Sequence, residues 1–359
     1  MEKIDLAVIG GGIVGIQIAY QALLRHPDWQ VVVFEKERYL GEHSTGRNSG
    51  VMHAGLYYEN GSLKHRLCLE GRLWWQEFTA KNSLPYNDCG KYIVAQNFSD
   101  LESLDQLFQK AKLNSVPNIR RARSEEVNAL KEKVFCEAAL FSPHTGILDV
   151  AEALNFLKDK FEALGGIILP FNPIINIEKV SHHFEIETVT EKIQSQMVIN
   201  SAGLRAIELR SKLGLNDLKD YWVKGNYLKT PQKNEFKTLI YPVPHTDLKG
   251  LGIHLTFDFL DQMKFGPNTE EIHEINYSQS DSTLHAMRSA VESLFKSIDL
   301  SKLHLDYAGI RSKILFEDKP YKDFWIQSPI PGYIECCGIE SPGVTASPAI
   351  ARYITQNWL

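Results

Sequence analysis

A chain of 359 residues, 43% of them hydrophobic, has material for a large core, and its length predicts two domains or one large one. The formal net charge is −5 and no lysine–arginine block stands out, so nucleic acid is excluded as an expected partner. No apolar run approaches the roughly 20 residues of a membrane helix, the first buried strand begins at Ile4 with no room for a signal peptide, and five scattered cysteines fit a reducing compartment. The expectation is a cytoplasmic protein without a transmembrane segment, at most touching a membrane peripherally. Cys336 and Cys337 alternate faces of a strand, so no metal site is expected.

The first element, Ile4 to Ile9, is a short apolar run that reads as a buried parallel strand. Gly10, Gly12 and Gly15 follow as G-x-G-x-x-G, and Ile16 to Leu24 continues as a helix. Residues without side chains let the backbone turn tightly, approach a pyrophosphate and pack helix on strand. The phosphates would meet the free N–H groups of the helix N-terminus. A second apolar run, Val31 to Phe34, ends in Glu35, whose carboxylate can accept hydrogen bonds from a ribose. Strand, glycines, helix, strand and acid in register predict a dinucleotide site.

Leu40 to Asn60 is a loop by composition, and its polar, glycine-rich centre from Ser44 to Gly55 has the character of a functional loop. Helices are predicted over Ser62 to Asn82, Leu101 to Leu113 and Ser124 to Leu130, the last with Ser124 as N-cap. Tyr92 to Ala95 is a strand. Asp149 caps a helix from Val150 to Leu164 that Gly165-Gly166 stops. Ile167 to Leu169, Ile174 to Ile177, Phe184 to Val189 and Gln196 to Gly203 are strand-like. From Tyr221 to Pro267 the pattern is aromatic and β-branched, which predicts a mostly antiparallel sheet of Tyr221 to Lys229, Thr238 to Val243, Gly252 to Phe257 and Met263 to Gly266. Ser282 to Ile298 is an amphipathic helix, Tyr333 to Cys337 a strand, Gly338 to Thr345 a loop and Ala346 to Trp358 a closing helix.

This order predicts an α/β protein: a Rossmann-like nucleotide-binding domain completed by the C-terminus, with an inserted mixed, largely antiparallel β-sheet substrate domain of α+β character. The nucleotide-binding domain is assigned to 1–84, 147–217 and 305–359, and the substrate domain to 85–146 and 218–304.

Several motifs recur in one order: the glycine turn at 8–15; Thr45-Gly46-Arg47-Asn48-Ser49-Gly50-Val51-Met52-His53-Ala54-Gly55-Leu56-Tyr57-Tyr58; Gly90-Lys91-Tyr92-Ile93-Val94-Ala95; Ser142-Pro143-His144-Thr145-Gly146-Ile147; Lys224-Gly225-Asn226-Tyr227; Ile240-Tyr241-Pro242-Val243-Pro244; Phe265-Gly266-Pro267-Asn268; and Ala308-Gly309-Ile310-Arg311. With them the chain resembles the FAD-dependent oxidoreductases of the D-amino-acid oxidase superfamily, and more narrowly their L-2-hydroxyglutarate dehydrogenase/oxidase branch. The resemblance implies bound FAD. Its cradle would be Gly10, Gly12, Ile13, Val14 and Gly15 at the pyrophosphate, Glu35 and Lys36 at the adenosine ribose, and Ile174, Ala202 and Gly203 along the nucleotide. Ser44, Thr45, Asn48 and Ser49 would surround the diphosphate and flavin, and Gly343, Val344 and Thr345 would aim N–H groups at the flavin's pyrimidine edge.

It further implies oxidation of an L-2-hydroxy acid to the 2-oxo acid by hydride transfer to flavin N5. His53 is the natural general base, since a neutral imidazole near pH 7 suits removal of a hydroxyl proton. A covalent flavin link and a structural role are its alternatives. Arg311, read as following a turn at Ala308-Gly309-Ile310, would hold the substrate carboxylate in a bidentate pair, or else form a surface ion pair. Tyr227, Tyr241 and Lys224 are candidates for further substrate contacts, or for packing. The partners implied are a small carboxylate substrate and an electron acceptor: oxygen, a quinone or a carrier. Alternative donors are amines or amino acids of the sarcosine and glycine type, or glycerol 3-phosphate. A non-catalytic dinucleotide-binding redox module is the reading from a different class.

Overall fold

The computed structural model describes residues 2–244 and 252–359. The strand Glu2–Ile9 lies between Val31–Phe34 and Lys192–Asn200 and runs parallel to both, with Val8 opposite Val33 and Ile199. Ile167–Leu169 extends this parallel set on one side. On the other, the Lys192–Asn200 strand is shared: its first half pairs antiparallel with His183–Thr188, and its end pairs parallel with Tyr333–Cys337. The result is an eight-stranded sheet. Leu6, Ala7 and Val8 are all fully buried, which is why the run shows no polar alternation.

Side chains that alternate across this sheet feed two cores. Leu6 and Val8 face a cluster with Ile16, Ala19, Leu157, Phe161, Trp75 and Ile350, drawn from the helices Ile13–Arg25, Val150–Ala163, Leu63–Asn82 and Gly343–Asn357. Ala7 and Ile9 face Phe184, Ile186, Leu209 and Tyr333. The helix Leu63–Asn82 touches the closing helix so closely at Gly71 that a Cβ there would lie 2.1 Å from the Thr345 carbonyl oxygen.

The aromatic block forms a second, ten-stranded sheet, in which Leu218–Lys229, Met263–Gly266, His254–Phe257 and Leu239–Pro242 are neighbours. It is mostly antiparallel, but Leu239–Pro242 runs parallel to Lys91–Ala95. Leu228, Leu255, Met263 and Phe265 bury one face against Met287 and Val291 of the helix Asp281–Glu292. A three-stranded sheet of Val51–Met52, Gly146–Leu148 and Tyr86–Asn87 lies beside these two.

Four local expectations are corrected. Ala308-Gly309-Ile310 is no turn but the middle of a 13-residue strand, His304–Phe316, paired along its length with Leu218–Lys229. Gly309 is there for a close approach: a Cβ would lie 2.1 Å from the Arg47 carbonyl oxygen. That strand belongs to the ten-stranded sheet, although the sequence grouped residues from 305 onward with the nucleotide-binding part. The closing helix begins at Gly343, so Gly343-Val344-Thr345 is its first turn and not a loop. Ser124 is the first residue of its helix; Arg123 holds the cap position because Glu126 accepts the Arg123 N–H at 2.7 Å. The helix predicted over Ser282 to Ile298 runs from Asp281 to Glu292, capped by Ser280, which accepts from the Thr283 N–H.

Candidate active site

A cavity of about 1490 Å³ runs from the glycine turn to the ten-stranded sheet, larger than the ~300–1,000 Å³ of an ordinary small-molecule pocket. All the candidate site residues except Gly15 and Lys224 line it. At its first end the backbone has been cleared for a ligand. Gly10 has φ +109°, and a Cβ there would lie 2.4 Å from the Ser201 carbonyl oxygen; one on Gly15 would lie 2.0 Å from that of Gly10. Gly15 therefore packs strand on helix, while Gly10 and Gly12 face the cavity.

The first N–H groups of a helix have no intrahelical acceptor. Ile13 N–H is satisfied by Thr45 Oγ1 at 3.0 Å, which leaves that of Val14, at the cavity wall, for an anion. The Glu35 carboxylate accepts from Gly11 N–H at 2.8 Å and Glu37 N–H at 2.9 Å, and its remaining lone pairs can take ribose hydroxyls. The Lys36 ammonium is engaged by Glu37. Ile174, Ala202 and Gly203 close this end.

The polar loop is stitched to the long strand His304–Phe316. Ser44 Oγ donates to the Ile310 carbonyl at 3.2 Å, Tyr307 OH donates to the Asn48 carbonyl at 2.7 Å, and Asn48 Oδ1 accepts from Gly50 N–H at 2.7 Å. The closing helix is fixed from the other side, where Trp75 Nε1 donates to the Val344 carbonyl at 3.0 Å. The N–H groups of Val344 and Thr345 start that helix at the cavity wall, the position for stabilising negative charge on a bound ring. The glycine cradle, the unclaimed N–H groups and the volume together fit a flavin dinucleotide.

His53 lies where these parts meet. Its ring is half-buried, and Nε2 is 3.1 Å from Ser341 Oγ. Burial first, and the charge of Lys91 second, push the imidazole down to about 3. It is neutral across the physiological range, so one ring nitrogen keeps a lone pair, and a ring lowered this far is a weak base. Arg311 lines the same cavity, and among the described residues no carboxylate lies within ion-pair distance of its guanidinium. Tyr227 and Tyr241 line it too, and burial raises both phenols.

Lys224 is not brought to the site. Its Nζ sits 3.0 Å from Glu270 Oε1 and donates to the Ser278 carbonyl at 3.0 Å. The reason is the two-residue period of a strand: Gly225 and Tyr227 face the cavity, so Lys224 and Asn226 point the other way.

Two residues escaped the sequence reading. His254 lines the cavity with its ring stacked 3.7 Å from that of Tyr241, and burial pushes it down to about 3. Its Nδ1 lies 3.0 Å from the Gly252 carbonyl oxygen, so Nδ1 carries the hydrogen and Nε2 is left as an acceptor. A lone histidine in an apolar strand gave no signal of this. Lys91 is wholly buried behind the tyrosines, and burial lowers it to about 7. Its motif was visible in the sequence, but not its role.

The site is that of a flavin-dependent oxidoreductase. Residues 5–357 match the family described as FAD dependent oxidoreductase, and the chain belongs to that family. It is 36% identical over 279 residues to a mitochondrial L-2-hydroxyglutarate dehydrogenase of Caenorhabditis elegans, a stretch covering 75% of this chain and 64% of that one. The human mitochondrial L-2-hydroxyglutarate dehydrogenase is 35% identical over 74% of this chain and 61% of its own length, and that of Arabidopsis thaliana 29% identical over 100% and 84%. The chain thus spans less than two thirds of the length of the two animal relatives.

Among solved structures, L-alpha-glycerophosphate oxidase from Mycoplasma pneumoniae, with FAD bound, superposes with a TM-score of 0.89 at 22% identity, covering 100% of this chain and 96% of that one. Glycine oxidase from Bacillus cereus does so at 0.84 and 16%, covering 98% and 96%. These likenesses fix the fold. Among the described residues, no helix is long and apolar enough to cross a membrane.

Proposed function

We propose that this protein oxidises an L-2-hydroxy acid resembling L-2-hydroxyglutarate to the 2-oxo acid. The observation that carries the reading is a guanidinium, Arg311, with no carboxylate within ion-pair distance among the described residues, lining the same cavity as a neutral imidazole, His53. Arg311 receives the substrate carboxylate in a two-bond fork, which sets the α-carbon at a fixed place. His53 takes the hydroxyl proton, Ser341 holds its ring, and His254 Nε2 offers a second acceptor nearby. When bound, FAD supplies the two-electron acceptor for the hydride that leaves the carbon. The aromatic wall of Tyr57, Tyr227 and Tyr241 keeps bulk water from the reacting centre. In this reading the eight-stranded sheet carries the cofactor and the ten-stranded sheet the substrate.

The partners are the carboxylate substrate and an electron acceptor: oxygen, a quinone or a carrier. All five cysteines are free thiols, which supports the cytoplasm or another reducing compartment. The names of the relatives support the hydroxy-acid substrate over amines or glycerol 3-phosphate. The test is an anaerobic titration of the purified yellow protein. L-2-hydroxyglutarate should bleach the flavin absorbance, while glycine, sarcosine and glycerol 3-phosphate should not. Bleaching by an amine and not by the hydroxy acid would overturn the reading.

A further inference from the structure

Gly90 to Ala95 is a motif to which the reading above gives no role. Lys91 within it is 0% exposed. Its strand lies between two others, with Lys91 opposite Leu239 on the side that carries Tyr241 and opposite Ser142 on the other. The Nζ atom is 4.5 Å from the centre of the Tyr241 ring, 4.6 Å from that of Tyr57, and 3.3 Å from the Tyr57 hydroxyl oxygen. Among the described residues no carboxylate pairs with it. Two aromatic faces stand where a counter-ion would be, and a ring's negative face attracts an ammonium.

The hydrogen-bond inventory then decides the direction of the Tyr57 hydroxyl. Below about pH 7 Lys91 is an ammonium, with three donor hydrogens and no acceptor, so in that form the Tyr57 oxygen accepts from it. The phenol's own hydrogen must point elsewhere. Tyr57 and Tyr241 line the cavity, whereas Lys91 stands behind them. Tyr241 in turn carries the stacked His254 ring, so the lysine fixes a wall of three rings.

We propose that Lys91 is a positioning residue for a dicarboxylic ligand, orienting the Tyr57 and Tyr241 rings and committing the Tyr57 hydroxyl to donate into the cavity to an anionic oxygen. Arg311 takes one carboxylate and Tyr57 a second, which deepens the hydroxy-acid reading and rests on it. A single carboxylate would use Arg311 alone.

The probe is glutarate, which has two carboxylates and no hydroxyl to oxidise, with butyrate as the one-carboxylate control. Binding to the FAD-loaded protein is followed by the change in its flavin spectrum, so no turnover is needed. Tyr57→Phe and Lys91→Met should each weaken glutarate about tenfold or more, the scale of one hydrogen bond to a charged group. Butyrate should change by less than about threefold. Because Lys91 acts through Tyr57, the double variant should bind glutarate about as weakly as Lys91→Met alone. Wild-type glutarate affinity in Tyr57→Phe, losses that multiply in the double variant, or an equal loss for butyrate would each overturn the proposal. If Lys91→Met fails to fold, Tyr57→Phe decides it by the same glutarate-to-butyrate contrast. Flavin bleaching of the wild-type protein by L-2-hydroxyglutarate tests the underlying reading separately.

Discussion

The backbone N–H of His53 donates to Thr345 Oγ1 at 3.1 Å, joining residues 292 apart in sequence. A second tether runs from His53 Nε2 to Ser341 Oγ, also at 3.1 Å. The candidate base is therefore held by the same closing segment whose first turn lines the cavity proposed for the cofactor. Any shift of that helix moves base and cofactor contacts together.

This placement makes His53 the first residue to change. His53→Gln should retain FAD and slow anaerobic flavin reduction by the hydroxy acid about 10²–10⁴-fold, the usual worth of a positioned general base. Because burial holds the imidazole at about 3, the wild-type rate should show no His53 step between pH 5 and 9. A step near pH 7 that survives in His53→Gln belongs to Lys91, lowered to about 7. Wild-type reduction rates in the variant would remove His53 from the chemistry.

Arg311 is expected to act on the substrate and not on the cofactor. Arg311→Met should leave the flavin bound and lower kcat/KM by an amount corresponding to about 2–5 kcal/mol, the cost of breaking one side of a desolvated charge pair. Lysine should restore little, since a point charge cannot copy a planar fork. Unchanged steady-state kinetics in Arg311→Met would show that the arginine binds no substrate.

Lys224 serves as the contrasting cation. It pairs with Glu270 on the far side of its strand, so Lys224→Met should leave KM for the hydroxy acid within about twofold of wild type, since it removes none of the cavity's binding groups. The same substitution should lower the thermal midpoint slightly, because the buried lysine loses its bonds to Glu270 and to the Ser278 carbonyl. A KM raised tenfold with unchanged stability would return Lys224 to the substrate site.

Stability should fall with acid in a window set by two histidines. His53 and His254 have ordinary values of 6.5 and sit at about 3 in the fold, so between those limits the unfolded chain binds more protons. Their contribution is complete above pH 6.5 and is lost as the pH falls toward 3. Asp220, raised by burial from 3.8 to about 6, acts in the opposite sense between those two values, but it is one group against two. Thermal midpoints from pH 6.5 to 4 should therefore drop more steeply for wild type than for a His53→Gln/His254→Gln variant. Parallel slopes would mean that the rings are not held neutral.

The local pattern of the chain carried the nucleotide end of the site. A buried parallel strand, three glycines without Cβ atoms, a helix start and an acid at the next strand end are fixed by short-range sterics and hydrogen bonding, so Gly10, Gly12, Gly15 and Glu35 could be named from spacing alone. The polar loop was legible as functional from its composition, but what it and the first turn of the closing helix would hold was legible only through their resemblance to a family. What the tertiary structure decided lies at the substrate end, where facing depends on register. Lys224 and Tyr227 stand three residues apart in one motif, yet only pairing with His304–Phe316 determines which of them meets the cavity. Lys91, Tyr57 and Tyr241 come from three separate motifs, and the parallel pairing of Lys91–Ala95 with Leu239–Pro242 brings the lysine and Tyr241 onto neighbouring strands. Burial by those same pairings lowers His53, His254 and Lys91. A sequence names the titratable group, but the surroundings that set its proton affinity are assembled only when distant strands close around it.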